Sequence, residues 1–325
     1  MIRRLRNLFF LCAMWVSVPA MGQDLVAQPA EDVMNPALQT LPDGRPILSC
    51  LTPIEGMSCI PGGKFIRGSD TDEHNKKCDQ PSFNKHKYSN TAPQAEIWMQ
   101  TYYMDKTEVT TEAYKACVKK KKCRKAGPVY IDFSAPTQPI TGINWYDADQ
   151  FCKAQGKHLA TEAEWEKAAR GENGELYAWG NEEATCERAI LMDEKGRSCG
   201  RKKKGHRPEA GRISEVCARG ENRYGLCDMT GNAEEWVADW YTDSYKACGK
   251  ACEGIDPKGP CEGSNAEHCG KLSYKVVRGG SWYWPASHAT AYHRRSHVPS
   301  NEPGHHFGFR CAASQEEMQK LIDKQ

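Results

Sequence analysis

The amino-acid sequence predicts an α+β fold: one large domain, poor in regular secondary structure and rich in disulfides. Three observations carry this expectation. Segments 111–120, 145–155 and 161–170 show helical spacing of apolar residues with matching start or stop signals. Between and beyond them lie short strand-like runs and long loops, broken by Pro61-Gly62-Gly63, Trp179-Gly180-Asn181 and Arg278-Gly279-Gly280. The chain also holds sixteen cysteines, a number that fits an oxidising compartment and paired thiols.

The order of elements begins with a leader. Met1 to Arg6 is short and cationic, and Asn7 to Val18 is almost wholly apolar. That run of roughly 12 residues is well below the ~20 needed for a membrane-spanning helix. It ends at Pro19-Ala20-Met21-Gly22, where small residues precede a cleavage point after Gly22. Residues 1–22 are therefore read as a signal peptide, and the mature protein is expected to be exported, periplasmic or extracellular. Anchoring through Cys12 is disfavoured, because Phe9-Phe10-Leu11 supplies no small residues before it. No membrane span is expected in the mature chain.

The full chain carries a net charge of +2, and loss of Arg3, Arg4 and Arg6 leaves −1. A nearly neutral protein has no bulk electrostatic preference for nucleic acid or acidic membranes.

Residues 23–55, rich in Pro, Ala, Gln and Asp, read as a flexible tether with a small Cys50 to Cys59 loop at its end. From 56 to 314 the texture becomes aromatic-rich and glycine-punctuated, without tandem repeats, as in one domain of about 260 residues. In its first helix Tyr114, Cys117 and Val118 share a side. In the second, Trp145, Ala148, Phe151 and Cys152 share a face, which Gly156 ends. Thr161-Glu162-Ala163-Glu164 is a capping box for the third, in which hydroxyl and carboxylate satisfy each other's backbone N–H groups. The tail 315–325 reads as a short polar helix with Met318, Leu321 and Ile322 on one face, docked on the domain or fraying.

Without Cys12 the cysteine count is fifteen, so at least one thiol stays free or pairs between chains. Cys248, Cys252, Cys261 and Cys269 have a superficially zinc-like spacing, but in an exported loop disulfides are favoured. His288, His293, His297, His305 and His306 fit no single helical face and are expected to be exposed or hydrogen-bonded rather than metal ligands. The basic runs Lys119–Lys122 and Arg201–His206 read as solvated loops, with contact to anionic glycans as the alternative.

Five ordered segments resemble the sulfatase-modifying factor family, which includes formylglycine-generating enzymes. They are Ile60-Pro61-Gly62-Gly63-Lys64-Phe65-Ile66-Arg67-Gly68-Ser69, Met104-Asp105-Lys106-Thr107-Glu108-Val109-Thr110, and Gly156 to Gly171 with its Ala160-Thr161-Glu162-Ala163-Glu164-Trp165-Glu166. Gly225-Leu226-Cys227-Asp228-Met229-Thr230-Gly231-Asn232-Ala233-Glu234-Glu235-Trp236 follows, then Arg278-Gly279-Gly280-Ser281-Trp282 with Gly308-Phe309-Arg310. The resemblance spans nearly all of 56–313 and implies a formylglycine-generating-enzyme-like single domain, an elaborated C-type-lectin-like fold. Such motifs specify fold before function.

The resemblance also implies sites. The family's exported enzyme oxidises a sulfatase cysteine with Cu(I) held by two thiolates, and soft thiolates suit that ion. The matching positions here are Trp284 and Ala289, so copper is not expected. Ser281 matches the family's active-site serine and is a catalytic candidate, or a turn residue without the metal pair. His288, next to Ala289, is expected in an extended strand facing away from the site. Asp228, Gly231, Ala233 and Glu235 match a calcium-binding segment of hard oxygen donors, so structural calcium is expected; Glu234 stands where the family has an aromatic. A disulfide between Cys152 and Cys311 follows from the resemblance, with Cys117–Cys123 and Cys186–Cys199 as short-range partners.

The expectation is thus a non-catalytic member that binds an exported protein or a glycan at the cell surface. The alternative is a formylglycine-generating oxidase acting on exported sulfatases, to be distinguished by copper content. Sulfoxide synthases that share the domain carry a histidine-bearing domain upstream, whereas here no histidine precedes His74.

Overall fold

Among the described residues the short strands expected from the glycine-broken sequence gather into three small sheets. The computed structural model describes residues 39–70, 88–128, 130–263, 269–300 and 304–325. The first sheet is built from β1 (Met57–Ile60), β4 (Tyr102–Asp105), β10 (Cys311–Ser314) and β5 (His158–Leu159), in that order. A hairpin pairs β2 (Gly63–Arg67) with β3 (Ala95–Met99). The third sheet runs β8 (Arg295–His297), β7 (Lys275–Arg278), β6 (Glu234–Trp240), β9 (Phe307–Phe309), with β6 and β9 parallel.

The expected helices form where their signals stand. They are α1 (Thr111–Lys119), α2 (Trp145–Ala154), α3 (Glu162–Arg170) and the terminal α5 (Gln315–Ile322), with an unexpected one-turn helix α4 (Tyr245–Cys248) before the last. Thr161 and Glu164 make the reciprocal capping box of α3, and Ser314 and Glu317 make a second on α5. Met318 of α5 is fully buried against Met57, Tyr103 and Ala313, so the tail docks.

Part of the expected tether is also docked. Leu41 is buried, and the Leu48 and Leu51 N–H groups donate to Gln100 Oε1 and Tyr103 Oη at 2.7 Å. The Cys50–Cys59 disulfide fixes the end of this segment. Few apolar side chains are needed once a disulfide and side-chain acceptors hold the backbone. The leader and residues 23–38 lie outside the described residues.

Among the described residues there are seven disulfides: the four at Cys50–Cys59, Cys117–Cys123, Cys152–Cys311 and Cys186–Cys199, and three at Cys217–Cys227, Cys248–Cys252 and Cys261–Cys269. Cys78, like Cys12, falls outside the described residues. Cys152 on α2 reaches Cys311 on β10 with a Cα separation of 5.5 Å, joining segments 159 residues apart.

A buried charge network centres on α3. Arg278, at the end of β7, donates to Glu162 at 2.7 Å and Glu166 at 2.8 Å, while Arg294 clasps Glu162 at 2.6 and 2.8 Å. Arg170 donates to Glu166 at 2.9 Å. Each charge is buried and matched, the condition under which such groups are tolerated in a core. The network fixes β7, and so the position from which the Gly279-Gly280-Ser281 turn departs.

Candidate functional site

Gly279 and Gly280, at φ +89° and +64°, turn the chain sharply after β7. A Cβ on Gly280 would lie 2.7 Å from the His288 carbonyl and 2.8 Å from Ala289 Cβ, so only glycine lets these strands of backbone meet. Ser281 follows, fully buried, and its Oγ accepts from the Tyr283 N–H at 3.3 Å. The Ser281 carbonyl accepts from the Trp284 N–H at 3.1 Å. In this arrangement Ser281 closes a turn.

Trp284 and Ala289 come together around a short 3-10 turn, Ala286–His288. Ala289 is buried among Ala189 and Leu191. The Trp284 indole is covered on two sides: His288 stacks on it at 5.2 Å with an interplanar angle of 16°, and the Arg295 guanidinium lies 4.8 Å from its ring. The expected extended strand at His288 is therefore corrected. Pro285 starts a tight turn here, and in a turn neighbouring side chains do not alternate between two faces, so His288 reaches back onto Trp284.

Glu234, on β6, is fully buried and accepts from Arg295 Nη1 at 2.6 Å; His306 Nε2 lies 3.9 Å away. Burial pushes the Glu234 carboxyl up, with Arg295 opposing. The buried Glu234 carboxylate thus has a cation built beside it. The histidines expected to be exposed or hydrogen-bonded are instead buried or half-buried and belong to one run of rings. His306 stacks on Tyr283 at 5.5 Å, His305 meets Tyr283 edge-on at 5.8 Å, and His288 meets His293 at 5.1 Å. Burial and Arg295 hold His288 down to about 4, and burial with neighbouring cations lowers His305 and His306. At neutral pH they are uncharged rings. Neither Trp284 nor Ala289 offers a soft donor atom.

The acidic segment lies on the other side of the Gly279 turn. Asp228, at φ +57°, follows the Cys217–Cys227 disulfide, and its Oδ2 accepts from the Cys217 N–H at 2.5 Å. It lines a cavity of about 90 Å³ with Trp179, Arg219 and Thr230. Beneath it sits Glu108, which sequence reasoning missed as a site residue although it stands in a quoted motif. Glu108 Oε1 accepts from Asn232 Nδ2 at 3.1 Å and the Ala233 N–H at 3.3 Å, while no N–H reaches its buried Oε2. Burial and the neighbouring Asp228, with which Glu108 shares a side-chain hydrogen bond when it holds a proton, raise Glu108 well above the usual range; burial raises Asp228 too. Two buried acids facing one another are held together by a proton or by a hard cation. Glu235 is placed differently: Arg310 grips both its oxygens at 2.7–3.0 Å, and Trp165 Nε1 donates to it at 2.9 Å. For a hard cation, Asp228 and Glu108 offer side-chain oxygens here, whereas Glu235 would have to share oxygens already bonded to Arg310 and Trp165.

Among the described residues Cys217, Glu221 and Cys227 also bring ligand atoms within 4.8 Å of one another, but both sulfurs are spent in a disulfide. No described helix is long and apolar enough to cross a membrane.

Residues 47–315 match the family described as sulfatase-modifying factor enzyme 1-like domain. The formylglycine-generating enzyme of Thermomonospora curvata is 33% identical over 198 residues, covering 58% of this chain and 59% of that protein. The serine/threonine-protein kinase pkn1 of Chlamydia caviae is 29% identical over 282 residues, covering 79% of this chain and 37% of that protein. The chain therefore spans well under two thirds of either relative. In three dimensions it is similar to PvdO from Pseudomonas aeruginosa, with a TM-score of 0.58, 21% identity and coverage of 79% and 93% of the two chains.

Proposed function

Because the chain belongs to the sulfatase-modifying factor family, we propose that it is an exported member that works by binding a protein or glycan partner rather than by copper-dependent oxidation. The observation that carries this reading is Trp284, an indole held between Arg295 and His288 at the position where the resemblance places a copper thiolate. An indole N–H only donates, and the alanine at the second position has no ligand atom. Ser281 is buried and engaged in its own turn, which supports the same reading. The names of the relatives carry two unlike activities, so shared fold does not choose between them. Seven disulfides support export.

Structural calcium belongs to this proposal, held by Asp228, the Gly231 and Ala233 carbonyls and Glu108. Bound there, it would supply charge that lets two buried acids ionise together and would tie the loop before β6 to the chain ahead of α1.

The test is made on protein isolated from the periplasm. Copper content by mass spectrometry should fall far below one ion per chain. A cysteine-containing sulfatase peptide, incubated aerobically with a reductant, should stay unconverted. Formylglycine formation above a no-protein control would make the oxidase reading correct.

A further inference from the structure

We propose that the loop Arg197–Arg207, with Tyr130 and Ile131 beside it, docks an acidic segment of a partner protein that carries an apolar side chain among its carboxylates. This rests on the binding reading above and gives that reading a surface.

The loop is built to hold charge in place. Residues 197–212 contain seven arginines and lysines and one acid, Glu209. The Cys186–Cys199 disulfide staples its start, the Ser198 N–H donates to the Trp282 carbonyl at 2.7 Å, and the Lys204 N–H donates to Asp132 Oδ2 at 2.7 Å. Arg201 is hydrogen-bonded to Ser214. Two cations fold back onto rings: Arg197 lies 3.5 Å from the Tyr283 ring and Lys203 Nζ 4.7 Å from that of Tyr130. Arg201, Lys202, Lys204 and Arg207 remain exposed. Asp132 bonds only the Lys204 backbone, and among the described residues none of the seven side-chain charges lies within 4.0 Å of a carboxylate oxygen. Seven cations within sixteen residues, none in a side-chain ion pair, leave a concentrated positive field on an otherwise nearly neutral protein. Burial together with Arg212 and Arg219 lowers Arg201, which is the electrostatic mark of that crowding.

The second observation selects the partner. Ile131 is 83% exposed and Tyr130 36%, side by side at the edge of the basic loop. A polysaccharide gains little from an isoleucine, and the nearby Tyr283 ring already has Arg197 on one face and His306 on the other. A protein segment with carboxylates around one leucine or phenylalanine satisfies both features, with the apolar anchor central and the charges steering approach.

The test uses the whole protein and a fluorescent peptide of alternating Asp and Glu with two central leucines, read by anisotropy at low and physiological salt. Wild type should bind, more weakly as salt rises. The triple variant Arg201→Gln, Lys202→Gln, Lys204→Gln should lose at least about tenfold in affinity and most of its salt dependence, since its charges carry the long-range attraction. Ile131→Ser should lose several-fold at unchanged salt dependence. The control Lys119→Gln, Lys120→Gln, Lys122→Gln, in the other basic run, should bind as wild type, and near-UV circular dichroism checks that each variant is folded. Equal binding by the triple variant overturns the proposal. So does tighter binding of heparin fragments or anionic phosphatidylserine vesicles with no effect of Ile131→Ser, which would make the surface a general polyanion or lipid site. Failure of the underlying binding reading shows separately, as formylglycine production by the same wild-type preparation.

Discussion

Arg295 Nη1 donates to the fully buried carboxylate of Glu234 at 2.6 Å, and the same guanidinium caps the Trp284 ring. Removing one partner of a buried pair leaves the other charge in a low-dielectric site. Arg295→Ala should therefore destabilise by about 3 kcal/mol. Glu234→Gln combined with Arg295→Met should recover most of that loss, because no unpaired charge remains. Urea unfolding checks both; a single-variant loss below about 0.5 kcal/mol, the range of ordinary surface changes, would show that water reaches the pair.

Disulfide contributions should scale with the loop each closes. In the chain-entropy model Cys152–Cys311, spanning 159 residues, stabilises by about 5 kcal/mol and Cys248–Cys252, spanning 4, by about 2 kcal/mol. Replacing each pair with alanines and comparing denaturation midpoints should reproduce that order. A reversed order would show that local packing outweighs loop entropy.

Stability should fall at both ends of the pH range, for opposite reasons. His288 is depressed to about 4 by burial and Arg295, so its contribution is present above the unfolded value near 6.5 and is lost as pH falls toward 4. For His158, burial opposes the charge, but Glu164 and Glu317 at 2.7–3.1 Å more than offset it and raise it to about 10. Its contribution is full below about 6.5 and is lost as pH rises through 10. His288→Gln should flatten the acidic limb of a urea-midpoint profile and His158→Gln the alkaline limb. An unchanged limb in either variant would assign that slope to other groups.

Millimolar calcium should raise the melting temperature by binding the native state preferentially. Asp228→Asn and Glu108→Gln should each reduce or abolish the rise. Glu235→Gln is the poorer probe, because it also breaks the Arg310 pair and lowers stability without calcium. An undiminished rise in the Asp228→Asn, Glu108→Gln double variant would place the ion elsewhere.

What the sequence determined by itself is written over short spans. The capping box at Thr161 and Glu164, the apolar faces of α1 and α2, and the Gly279-Gly280 turn are each settled by residues within a few positions of one another, because helix period and backbone φ are local properties. The ordered motifs were legible for the same reason, as was the lack of a soft donor atom on Trp284 and Ala289. Only the tertiary structure decided what surrounds those residues. Arg295 over Trp284, Glu108 under Asp228, Arg310 across Glu235 and Lys203 over Tyr130 join positions 11 to 120 apart. No periodicity records such a meeting, since it depends on how the three sheets and long loops pack. That packing turned His288 onto an indole, seated Glu234 in a buried ion pair with Arg295, and left the side-chain charges of one basic loop without ion pairs beside an exposed isoleucine.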